Sequence, residues 1–154
     1  MKPETVFVFI ASFIFALVAY FIPKKMKPYE IYVTTLFAIV FGLLVDMVLA
    51  VKYQFYVLDQ PGVQIPALIG QVILYGATSI ILLNVYPFNK SVKSQLVFIL
   101  CFTFITLVFE FLSFTFGFIK YNEWKMWYSA LCYPFLIYFL VVHFKFVKWL
   151  IKIN

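Results

Sequence analysis

A chain of 154 residues has room for one domain, and 66% of this one is hydrophobic while only 12% is charged, about half the charged share of an ordinary soluble domain. A protein of this size cannot hide so much apolar surface from water, which excludes a soluble globule and points to an integral membrane protein. The net charge of +6 comes from lysine alone, with no arginine in the chain; without the guanidinium fork that usually reads bases and phosphates, no nucleic-acid partner is expected.

Five apolar runs cover residues 5–22, 31–51, 67–83, 95–119 and 127–144, each close to the roughly 20 residues that cross about 30 Å of hydrocarbon. The expected fold is all-α: a polytopic membrane helix bundle of five spans forming a single integral membrane domain over residues 1–154. The first run has a weak cleavage signal at Leu17-Val-Ala19. Its start, Met-Lys-Pro-Glu, is barely basic, however, and the strongly basic flank at Pro23–Lys27 fits a retained helix. In the second run Ala38, Gly42, Asp46 and Ala50 recur every four residues and share one helix face, a small-residue stripe suited to close packing with one acid set into it. The loop after it contains the turn signal Asp59-Gln-Pro-Gly62 and several aromatics, which places it at headgroup level. The third run is the most polar, with Gln71, Tyr75, Thr78 and Ser79 inside it, and Pro87 marks its boundary.

The fourth run carries Thr103, Thr106, Glu110, Ser113 and Gly117 at alternating spacings of three and four on an otherwise phenylalanine-rich helix. Facing that stripe toward protein and the phenylalanines toward lipid is the cheapest arrangement. After the fifth run, Lys145, Lys148 and Lys152 share a face and either bend into the interface or snorkel from the last turns. With five spans, Lys24, Lys25, Lys27, Lys90, Lys93, Lys145, Lys148 and Lys152 fall on one side, and Lys2, Lys52, Lys120 and Lys125 on the other. The positive-inside rule then sets the N-terminus outside and the C-terminus in the cytoplasm. Tyr121, Trp124, Trp127, Tyr128 and Trp149 read as interface anchors, and His143 as an interface residue near the cytoplasmic end.

An acid within a membrane span needs a partner, a proton or a job. Asp46 lies about 9 Å and Glu110 about 10 Å below the outer edge at the ~1.5 Å helical rise, and no lysine shares that depth. Gln71, Tyr75, Ser113, Ser129 and Tyr133 fall in the same layer, so Asp46, Gln71, Tyr75, Glu110, Ser113 and Tyr133 form the candidate intramembrane polar site. The site reads either as a proton, cation or polar-ligand site open to the outside or as a hydrogen-bonded plug between helices. There is also an internal echo: Asp46 precedes Lys52-Tyr53 and Glu110 precedes Lys120-Tyr121, with Tyr75…Asn84 and Tyr133…His143 extending it. Tandem duplication and coincidence both account for it.

No metal, cofactor or catalytic residue set is expected. Cys101 and Cys132 lack ligand spacing and read as small hydrophobes, there is a single histidine, and no phosphate-loop, CxxC or HExxH pattern occurs. The segments Asp46…Lys52-Tyr-Gln-Phe-Tyr, Gln60-Pro-Gly-Val-Gln, Leu83-Asn-Val-Tyr-Pro-Phe-Asn-Lys90 and Glu110…Ile119-Lys-Tyr-Asn-Glu-Trp124…Trp127-Tyr-Ser129 resemble a family of small multi-pass membrane proteins of endospore-forming Gram-positive bacteria. The resemblance implies a bacterial cytoplasmic membrane and assigns no activity. The resulting expectation is a structural or accessory membrane subunit, in contact with the lipid bilayer and with a protein partner or a second copy. The alternative is a small proton- or cation-linked transporter or polar-ligand binding protein using Asp46 and Glu110.

Overall fold

The structure, a computed structural model, describes residues 2–153. Helices α1 (Pro3–Phe21), α2 (Pro28–Asp46), α3 (Ile65–Val85), α4 (Val92–Thr115) and α5 (Met126–Ile153) account for most of the chain. All five are long and apolar enough to cross a membrane, and the fold is an all-α bundle consistent with a polytopic membrane protein. Their outward surfaces carry large apolar side chains such as Phe13, Phe104 and Phe135, the surface a lipid-immersed bundle presents.

The helix ends are fixed by local chemistry. Pro3 and Pro28 begin α1 and α2, where a missing N–H is harmless. Glu30 accepts the Lys27 backbone N–H at 2.8 Å. The Lys24 ammonium donates to the carbonyls of Ala19, Tyr20 and Ile22 at 2.5, 2.8 and 2.9 Å, satisfying the free carbonyl end of α1 and opposing its dipole. Asn84, fully buried near the end of α3, accepts the N–H groups of Lys25 and Met26 at 2.6 and 3.2 Å and donates to Ile80 at 2.8 Å. One side chain thus clamps the α1–α2 turn to α3.

Three expectations need correction. The fourth run stops at Thr115 rather than 119, because Gly117 turns the chain at φ 76° and Ile119 enters a strand. The fifth continues through Lys145, Lys148 and Lys152 as one helix to Ile153, with Pro134 inside it. The lysines therefore project from the last turns of this one helix. The fold also contains non-helical backbone: β1 (Tyr56–Leu58) and β2 (Ile119–Tyr121) pair antiparallel, with Tyr56 opposite Tyr121. The two loops lie at the same end of the bundle, and pairing their backbone amides with each other satisfies both. Between α2 and β1 the backbone widens into a π-helix, Met47–Lys52, beginning immediately after Asp46.

Helix α3 is the hub, with α1 and α2 packed along it, while α4 packs on α5. Close approach of α1 to α3 depends on Gly70, where a Cβ would lie 2.7 Å from Val8. Contacts of Phe37 and Phe41 with Phe139 close the α2–α5 side. On the other side α1 stands between α3 and α4, with Phe7 and Phe15 against Phe109. Met26, Leu82, Leu83, Tyr86, Ile99, Val141 and Phe144 form a core at the lysine-rich end.

Candidate functional site

All five helices and the ribbon line a cavity of about 390 Å³, within the range of small-molecule sites. Its walls are mainly aromatic and aliphatic, and its polar end, beneath the ribbon, holds Asp46 and Glu110.

Each carboxyl is cradled by three neutral donors. Asp46 sits at the end of α2 and accepts hydrogen bonds from the Tyr56 hydroxyl at 2.6 Å, the Gln71 amide at 2.6 Å and the Tyr75 hydroxyl. Glu110, buried on α4, accepts from Ser129 at 2.7 Å, from Tyr133 at 2.5 Å and from Tyr121. Trp124 extends the second cradle by donating its indole N–H to Ser129 at 2.8 Å. Hydrogen bonds to charged or strongly polar acceptors in a dry interior are the strong ones. No hydrogen bond joins the two carboxyls among the described residues, so each has its own donor set.

The two cradles are built alike. In each, an acid near the ribbon end of a helix is followed by a ribbon tyrosine, at a separation of 10 for Asp46–Tyr56 and 11 for Glu110–Tyr121. The next helix then contributes two donors one turn apart, Gln71 and Tyr75 in α3, Ser129 and Tyr133 in α5. With the acids aligned, Phe41, Gly42, Val45 and Leu49 correspond to Ile105, Thr106, Phe109 and Ser113. With the second donors aligned, Leu74, Thr78, Ser79 and Leu82 correspond to Cys132, Leu136, Ile137 and Leu140. Every one of these residues lines the cavity. The echo in the sequence therefore has a counterpart in two similarly arranged cradles, each built on a pair of helices, with α1 outside both. Its pairing of Tyr53 with Tyr121 needs correcting: Tyr56 is the counterpart, and Tyr53 is exposed with Lys52 over its ring at 5.3 Å. Asn84 and His143 are not counterparts either. Asn84 is the clamp described above, whereas the His143 ring stacks on Phe37 at 3.7 Å and leaves Nδ1 buried without a partner.

Of the candidates read from the sequence, Asp46, Gln71 and Tyr75 meet in one cradle, and Glu110 and Tyr133 in the other. Ser113 lines the same cavity but touches neither carboxyl, because its hydroxyl donates to Phe109 of its own helix at 2.8 Å. The spacing argument missed Tyr56 and Tyr121 as ligands of the acids and left Ser129 outside the candidate set. It also took Tyr121 and Trp124 for interface anchors, whereas both are half-buried and bonded within the site, Tyr121 to Glu110 and Trp124 to Ser129; Trp127 and Trp149 are exposed. The recoverable signal was the acid, the tyrosine ten or eleven residues on, and the polar pair one turn apart, present twice.

Burial holds the Tyr56 hydroxyl well above its ordinary range, and the Asp46 charge and hydrogen bond add to this. Burial and then the hydrogen bond to Glu110 do the same for Tyr121. Both ribbon tyrosines therefore remain neutral donors. Among the described residues, no group of three or more histidine, cysteine, aspartate or glutamate side chains is placed to hold a metal ion. No family model matches the sequence, and no curated protein or solved structure is significantly similar to it. No specific catalytic or binding activity follows from known proteins.

Proposed function

We propose that this is an integral protein of the bacterial cytoplasmic membrane that binds an amphipathic molecule with a cationic or hydrogen-bond-donating head. The chain of the ligand lies along the aromatic wall and its head meets Asp46 and Glu110. The lysine-rich end faces the cytoplasm by the positive-inside rule, which puts the two cradles in the outer half of the bilayer. The observation that carries this reading is a cavity of ligand size with an apolar body and two carboxyls at one end. Intramembrane acids used only to hold helices together do not require such a space.

One observation favours the accessory-subunit reading: all three bonds to each acid come from the protein itself. A comparison of decylamine with decanoate in native mass spectrometry of maltoside-solubilised protein separates the two. Ligand binding predicts retention of decylamine and not decanoate, with at least tenfold weaker retention in Asp46→Asn and Glu110→Gln at unchanged folded yield. Equal retention of the two amphiphiles, or wild-type retention in both variants, leaves only the structural role.

A further inference from the structure

Beside the ribbon, on the outward face, a second and more open pocket of about 420 Å³ is lined by Phe55, Glu123, Trp124, Tyr128, Leu131 and Cys132. Trp124 and Tyr128 stand nearly at right angles, 70° with centroids 5.3 Å apart, and form an aromatic corner. Phe55 extends the wall, 6.0 Å from Trp124. The loop side of the corner is tied to the ribbon strand before it. The Phe55 carbonyl accepts the N–H groups of Asn122, Glu123 and Trp124 at 3.0, 3.2 and 3.0 Å, and the Asn122 side chain donates to Gln54 at 2.8 Å. The indole N–H is already engaged by Ser129, so Trp124 offers the pocket its π-surface rather than a donor.

Glu123 is the only charged residue in this lining. Of the four lysines at this end, Lys120 donates to the Asp59 carbonyl at 2.8 Å and Lys52 lies over Tyr53, while Lys2 and Lys125 are exposed and do not line the pocket. Ring faces meeting at a corner attract a cation through their quadrupoles, and they favour one that gives up little hydration. A carboxylate at the rim supplies the remaining attraction without requiring an N–H from the ligand.

We propose that this pocket binds a quaternary or methylated ammonium group, the chemistry shared by a free solute such as choline and a choline lipid head. The inference does not rest on the inner cavity, since the probe has no chain to fill it. Tryptophan fluorescence of the full chain in dodecyl maltoside is titrated with tetramethylammonium, with choline, and with 3,3-dimethylbutanol, the neutral shape-mimic of choline. The expected result is a saturable response to both cations that is about tenfold weaker for the alcohol. Glu123→Gln and Tyr128→Leu should each weaken cation binding about five- to tenfold, while Tyr128→Phe, which keeps the ring, should retain it. In nanodiscs, loss of the choline response with phosphatidylcholine but not with phosphatidylglycerol supports the site and assigns it to a lipid head. A response kept in both supports the site and assigns it to a free solute. An equal response to the alcohol, no saturation with either cation, or unchanged affinity in a folded Glu123→Gln protein overturns the proposal.

Discussion

At the residue scale, placing Asp46 and Glu110 inside the bundle is costly, and the six side chains that donate to them offset that cost. Removing one donor leaves a carboxyl oxygen short of a partner inside the bundle, a loss of about 1–3 kcal/mol. Tyr133→Phe, which keeps the ring and deletes the hydroxyl bonded to Glu110, should lower stability by roughly that amount, seen as a drop in unfolding temperature in detergent. The ribbon tyrosines make a second expectation, with a defined sign. Burial and the neighbouring acids raise both hydroxyls from their usual value of 10.0, so the folded chain holds those protons after the unfolded chain has released them. Their contribution is complete below pH about 10 and is lost as pH rises beyond it. Thermal unfolding followed from pH 8 to 11 should therefore decline more gently in the Tyr56→Phe/Tyr121→Phe double variant than in the wild type.

At the element scale, the five spans were legible because hydrophobic length alone declares them, and the polar stripe of α4 was legible because its period matches a helix. The ribbon was not legible. Residues 56–58 and 119–121 are three-residue segments, too short for a periodicity to register, and they pair only because folding brings two distant loops together. Without the ribbon, Tyr56 and Tyr121 read as headgroup aromatics, and one of the three donors of each cradle disappears from view. Glycine 42 shows the same limit. Its place in a small-residue stripe was readable, but its purpose is local: a Cβ there would meet the Tyr75 ring at 2.7 Å. Gly42→Ala should push that ring from Asp46 and cost about 1–3 kcal/mol through overpacking, with a matching fall in unfolding temperature and a disturbed Tyr75 signal in ultraviolet difference spectra.

At the scale of the whole molecule, two similarly arranged cradles share one cavity, while α1 stands outside both and fills the side between α3 and α4. The Asn84 clamp and the apolar core around Leu82 and Leu83 secure the lysine-rich end. The opposite end is held by the ribbon, where Tyr56 and Tyr121 are direct partners in register. Each of these tyrosines also holds one acid, so a shift of one strand displaces the donor of the other carboxyl. The ribbon joins the two cradles, so the two acids are expected to respond together. A ligand bound as proposed that draws Asp46 out of its cradle should change the free energy of drawing out Glu110, and linkage requires the reverse effect to be of equal size. Two acids with no bond between them are in this way expected to act together through three residues of backbone on each side.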